Sequence, residues 1–141
     1  MTTAPIHATA VATYAQGGWR GALLRGPSGA GKSDLALRLI ARGWRLIGDD
    51  YVHLWRSHGG LFAAPAQTIA GRIEARGLGI LSVTHHPLCR IGLVVDCRGA
   101  TVDRLPEAGS VTLAGVTLPQ LDLDVRPASA VETLAHAIRR L

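Results

Sequence analysis

The chain has 141 residues, of which 48% are hydrophobic and 18% charged, with a formal net charge of +5. That is one domain's length, enough to bury roughly two-thirds of the unfolded surface, and the composition excludes a disordered chain. The arginines are scattered, with no run longer than Arg139-Arg140, which argues against a nucleic-acid surface; no apolar stretch approaches the roughly 20 residues of a membrane span. The positive balance suits an acidic protein partner or phosphorylated ligands instead. Met1 to His7 lacks a basic segment followed by an apolar one, so the expected location is cytoplasmic. Cys89 and Cys97 form no C-x-x-C pair and read as reduced thiols.

In chain order, residues 7–16 are small and β-branched enough for a first strand, and Gly17-Gly18 marks a turn. Residues 19–25 form a buried strand through Gly21-Ala22-Leu23-Leu24. It runs directly into Gly26-Pro27-Ser28-Gly29-Ala30-Gly31-Lys32-Ser33. A helix is expected over 32–42, with Leu35, Leu39 and Ile40 on its apolar face and Gly43 at its C-terminal cap. A short strand over 45–48 delivers Asp49-Asp50, and another over 51–56 breaks at Ser57-His58-Gly59-Gly60. Further strands are expected at 90–96, 110–117 and 121–125. The terminal helix, 129–141, carries Ser129 as N-cap and Glu132 three residues on, the pattern of a capping box. The expected fold is α/β: one domain over 1–141, with a strand-rich sheet, flanking helices and an unusually strand-rich second half.

Residues 26–33 match G-x-x-x-x-G-K-[ST], the phosphate-binding P-loop. The three glycines let successive N–H groups turn inward toward phosphate oxygens, and the following helix adds its positive end. Lys32 is the chain's only lysine; the other fourteen basic side chains are arginines. An ammonium is retained where a compact charge is needed rather than a planar fork. The strand–loop–helix–strand order is the context this motif requires. The loop therefore implies binding of a nucleoside triphosphate or a close relative, with Lys32 on the β- and γ-phosphates and Ser33 on Mg²⁺.

Asp49 and Asp50 follow Lys32 by 17 and 18 residues. That is room for one short helix, a turn and one strand, so both emerge at a strand's C-terminal end beside the loop, where open α/β sheets bind ligands. Neighbouring strand residues face opposite sides, so the two acids take different roles. One acts as base toward a hydroxyl; the other orients a neighbour or the metal's water shell. His85-His86-Pro87 with Cys89 lacks further ligands, and no zinc site is expected there.

The P-loop, the stretch Arg42-Gly43-Trp44-Arg45-Leu46-Ile47-Gly48-Asp49-Asp50 and the block Glu74-Ala75-Arg76-Gly77-Leu78-Gly79-Ile80 together resemble the catalytic domain of the HPr kinase/phosphorylase family. The resemblance runs from His7 to the terminal helix, and the Glu-x-Arg-Gly-Leu-Gly-Ile block is its most specific part. It implies a single HPr kinase-like P-loop catalytic domain over 1–141 with the PEP carboxykinase-like fold. It also implies ATP-dependent phosphorylation of a serine on an HPr-like phosphocarrier of the sugar or nitrogen type. By the same resemblance, ATP contacts residues 26–33, Asp49 and Arg76, and Ser33 and Glu74 hold Mg²⁺. Asp50 is the acid–base residue; His7, on the strand before the loop, Lys32 and Arg104 complete the catalytic set. Arg104 would stabilise charge on the transferring group. The family forms hexamers, so a homo-oligomer is expected.

The chain departs from the family pattern in three places. It reads as a short form, with the family's separate N-terminal domain not represented ahead of the catalytic strand. The family's Pro-Gly-Arg-Asn type loop aligns with Pro127-Ala128-Ser129-Ala130, which lacks the glycine, arginine and asparagine tied to the phosphorolytic direction. The stretch between Ile80 and Arg90 is shortened. A small-molecule kinase and an ATP-binding sensor are the alternative readings. The first would normally carry an Arg-rich lid, which residues 57–70 do not resemble, and binding alone does not require an acid–base residue.

Overall fold

The computed structural model describes residues 5–66, 69–99, 102 and 109–141. Eleven strands and two helices form among them: β1 (Ile6–His7), β2 (Thr9–Ala15), β3 (Gly18–Arg25), α1 (Lys32–Ile40), β4 (Arg45–Gly48), β5 (Tyr51–Ser57), β6 (Gly60–Pro65), β7 (Arg72–Ala75), β8 (Gly79–Ser82), β9 (Cys89–Arg98), β10 (Gly109–Leu113), β11 (Val116–Asp124) and α2 (Ala130–Arg139). Nine strands make one sheet and the β7–β8 hairpin stands apart. The expected strand-rich α/β architecture is the one observed.

The frame around the loop is a modified β-α-β unit. β2 pairs antiparallel with both β3 and β4, so β3 and β4 run parallel and α1 crosses over the strand between them. β3 continues the parallel set through β9 to β11. β9 branches the sheet: β3 takes one edge, while β6 pairs with residues 89–91 and β11 with residues 94–98 of the other.

Three hairpins share one device. Gln16-Gly17, His58-Gly59 and Ala114-Gly115 all have positive φ and join strands as two-residue loops. Such turns match the natural twist of the flanking strands. The third corrects the expected continuous strand over 110–117, which is a hairpin pairing Leu113 with Val116. An alanine where Asn or Asp usually stands hid that turn. β6, β7 and β8 also went unread, because each is short and has few β-branched residues.

The core divides by sheet face. On one face Leu35, Ala36 and Leu39 of α1 meet Leu134 and Ile138 of α2 over Ala22, Leu24, Val95 and Leu123. The other cluster is built by strands and their connections, with Leu23, Ile47, Leu61, Ile91 and Val94 at its centre. Both helices therefore flank the same face. Each fully buried leucine contributes roughly 1.5–3 kcal/mol by leaving water, so this two-sided burial holds the loop-bearing strand β3 from above and below.

The helix ends qualify the expectations. α1 closes with Gly43 at φ 95, its N–H donating to Ile40 O at 3.1 Å and that of Trp44 to Leu39 O at 3.2 Å. This is the Schellman pattern, with Trp44 and Leu39 packed in the same core. The capping box at Ser129 does not form. Ser129 is itself helical, its side chain makes no cap hydrogen bond, and Glu132 pairs instead with Arg42 of the α1 terminus. An interhelix partner outcompetes the local one. Among the described residues no helix is long and apolar enough to cross a membrane.

Candidate functional site

β3 delivers the loop from a clamped end. The Arg25 guanidinium donates to both carboxylate oxygens of Asp96 on β9, at 2.9 and 3.2 Å, a bidentate pairing that fixes where the chain leaves the sheet. Lys32 is 6% exposed, and its Nζ donates to Gly26 O at 2.6 Å and Pro27 O at 3.0 Å, drawing the loop into a ring. Gly31 begins the helix at φ 95, and a Cβ there would come 2.8 Å from Val125 Cγ2. Only glycine fits both the left-handed backbone and the contact. Gly26, Pro27 and Ala30 shape this ring, while Ser28, Gly29 and Gly31 face the cavity beside it.

The two aspartates separate as expected. Asp49, 5% exposed, points back into the protein. Its Oδ1 accepts from Ser33 Oγ at 2.7 Å and from buried Thr9 Oγ1 at 2.9 Å. Asp50 turns outward at φ 65, and the Tyr51 N–H reaches over it to Asp49 O at 2.7 Å. That is a γ-turn of the strained kind, rare for a residue with a side chain. The Asp50 carbonyl is tied in turn by the Ala8 N–H at 3.0 Å.

This tie divides the expected strand over 7–16 at Ala8. His7 thus lies on β1, which pairs with β5, and not on β2, which takes the rest of that expected strand. Its ring sits 5.5 Å from that of Tyr51 and it still lines the cavity.

The remaining wall is the β7–β8 hairpin. Alternation along β7 buries Ile73 and Ala75 and turns Arg72 and Glu74 outward, with Arg76 following in the turn. Glu74 and Arg76 reach the same cavity of about 370 Å³ as His7, Lys32, Ser33 and Asp50. Four chain segments that are separate in sequence thus converge on one space of ligand-pocket size, roughly 300–1,000 Å³.

Asp34 and Leu37 also line it, and sequence reasoning passed over both. They follow Ser33 along the helix face that starts the cavity, one turn apart. Asp34 is held by Arg38 at 3.2 Å, and Arg38 also donates to the carbonyls of Val125 and Pro127. Arg104 lies outside the described residues. Below the loop, burial pushes the Cys97 thiol up from 9.0 to about 12, with the Lys32 charge pulling it down and Asp96 adding to the rise.

Among the described residues no three His, Cys, Asp or Glu side chains are grouped to hold a metal ion by themselves. Mg²⁺ is usually held through one or two carboxylates together with substrate phosphates and waters. The Ser33 hydroxyl, already oriented by a buried carboxylate, and the cavity-facing Glu74 supply donors of the right kind.

The family model described as HPr Serine kinase C-terminal domain matches residues 3–140. The HPr kinase/phosphorylase of Streptococcus thermophilus is 31% identical over 146 aligned positions, covering 94% of this chain and 46% of the relative. That of Halalkalibacterium halodurans is 34% identical, covering 89% and 43%. The chain thus spans less than half the length of these curated relatives. The solved Hpr(Ser) kinase/phosphatase of Coxiella burnetii superposes with a TM-score of 0.77 at 22% identity, covering 98% of this chain and 95% of that one, which shows a shared fold. With a family match over nearly every residue and a phosphate-loop cavity assembled on that fold, this chain belongs to the HPr serine kinase C-terminal domain family.

Proposed function

We propose that the chain is an ATP-dependent protein-serine kinase acting on an HPr-like phosphocarrier, with Mg²⁺ as its metal. The observation that carries this reading is Asp50: a carboxylate held in a strained backbone turn and aimed into the P-loop cavity. A binding module has no use for such strain, whereas a base that must meet an incoming hydroxyl does. On this reading the setting is cytoplasmic and the assembly homo-oligomeric.

Each side chain then has a task. The loop amides and Lys32 bind the phosphates, and Lys32 exchanges its present carbonyl partners for phosphate oxygens. Asp49 keeps Ser33 turned toward the metal position, and Glu74 offers a carboxylate from the opposite wall. Mg²⁺, when bound, neutralises charge on the phosphate oxygens and aligns them. Asp50 accepts the proton from the seryl hydroxyl, with His7 beside it, while Arg76 and Arg104 offset charge on the transferring group. The forward direction dominates, because residues 127–130 lack the family's glycine and arginine and the Pro127 carbonyl is tied down by Arg38.

Intact-mass spectrometry of an HPr-type phosphocarrier incubated with the chain, ATP and Mg²⁺ tests this. One phosphate on serine is expected, and Asp50→Asn should slow transfer by about 10²–10⁴-fold with ATP affinity unchanged. Asparagine tolerates the same positive φ, so the substitution removes the charge and keeps the turn. ATP binding without phosphate on any HPr-type carrier would sink the proposal in favour of a sensor.

A further inference from the structure

A second recess of about 160 Å³ adjoins the main cavity. Asp50 and Glu74 line both; Asp49, Arg72, Ile69, Ile73 and Ile80 complete the smaller one. It is well below the roughly 300–1,000 Å³ of a small-molecule pocket, so it has room for about one side chain.

We infer that this recess and its hairpin rim are the docking site of the acceptor protein. One apolar side chain next to the acceptor serine enters between Ile69, Ile73 and Ile80, and an acidic residue pairs with Arg72. The inference deepens the kinase reading and rests on it. Three observations support a protein occupant of this chemistry.

The first is continuity. A group seated in the recess has Asp50 on its boundary with the P-loop cavity, so a hydroxyl one residue away meets the carboxylate while a nucleotide fills the larger space. The second is exposed apolar surface concentrated on one hairpin: Leu78 is 80% and Ile80 65% exposed. Single exposed residues of this kind are ordinary, but two within three positions beside a catalytic cavity form a contact ridge. The third is charge. Arg72 faces outward opposite Ser82, with no ion pair or hydrogen bond among the described residues, in a chain of net charge +5. A guanidinium at an interface rim selects an acidic partner and speeds encounter with it.

Steady-state kinetics with an HPr-type phosphocarrier test the assignment. Arg72→Glu places like charge against the acceptor's acid and should raise the carrier KM about tenfold or more. The kcat at saturating carrier and the affinity for ATP should hold, and added salt should raise the wild-type KM more than that of the variant. Ile80→Ser, on the exposed ridge, should raise carrier KM independently and covers the case in which the charge reversal disturbs the hairpin. Carrier KM values unchanged in both folded variants, or a fall in kcat at constant KM, would overturn the docking assignment while leaving the kinase reading intact. Failure of the wild type to phosphorylate the carrier would overturn both.

Discussion

The two walls of the cavity are built on opposite plans. The P-loop wall is wired: Thr9 and Ser33 both donate to Asp49 and Lys32 donates to the Gly26 and Pro27 carbonyls, at 2.6–3.0 Å, and Lys32, Thr9 and Asp49 are buried. The hairpin wall is free: Arg72, Glu74 and Arg76 are exposed, and among the described residues their side chains make no ion pair or hydrogen bond. A preorganised wall suits phosphates, whose geometry never changes. A wall of uncommitted charges suits groups that arrive with the substrate and leave with the product. The same polarity of design predicts that substitutions in the first wall cost folding as well as function, and those in the second cost function alone.

The largest effect should come from Asp49→Ala. It leaves the Thr9 and Ser33 hydroxyls without their common acceptor, and a buried polar group without a partner costs about 1–3 kcal/mol. Ser33 also loses its orientation, so phosphoryl transfer should fall along with the denaturant midpoint. A variant as stable as wild type would show that the wiring of this wall contributes nothing to the fold.

Arg76→Ala sharpens the contrast from the other side. Its unfolding free energy should stay within about 0.5 kcal/mol of wild type, as for a surface site. Transfer should drop by about a hundredfold, the scale for losing one charge-stabilising donor. Equal losses of stability and activity would erase the distinction between the walls.

The sequence announced the wired wall far more clearly than the free one. A P-loop is legible because its chemistry needs fixed residues at fixed spacing, and a seventeen-residue gap leaves Asp49 few places to go. That Asp49 and Asp50 face different ways was expected from strand alternation, but β4 ends at Gly48 and it is the tight turn at Asp50 that separates them. What escaped was long-range. Nothing local shows that Ala8 would bond to Asp50 and split the first strand, or that Glu132 would choose Arg42 over Ser129. β7 and β8 went unread as strands, since four-residue strands carry almost no periodicity; only residues 74–80 stood out, through their motif resemblance. Asp34 and Leu37 were missed because their roles depend on which helix face meets the hairpin, a tertiary fact.

The smallest effect concerns Cys97, which lies under the wired wall: a Cβ on Gly26 would stand 3.1 Å from its carbonyl. Its thiol is pushed from 9.0 to about 12 and is 3% exposed. Raising a thiol pKa by three units lowers the thiolate fraction about a thousandfold at pH 8, and the thiolate is the reactive form. The folded state therefore holds a proton that the unfolded chain releases above pH 9. The associated stability is complete below pH 9 and disappears as pH rises from there to about 12. A colorimetric thiol reagent at pH 8 should leave Cys97 unlabelled in the native protein and label it on unfolding in denaturant. Rapid native labelling would mean that the floor of the loop opens readily, and the contrast between a rigid and a free wall would fail at its foundation.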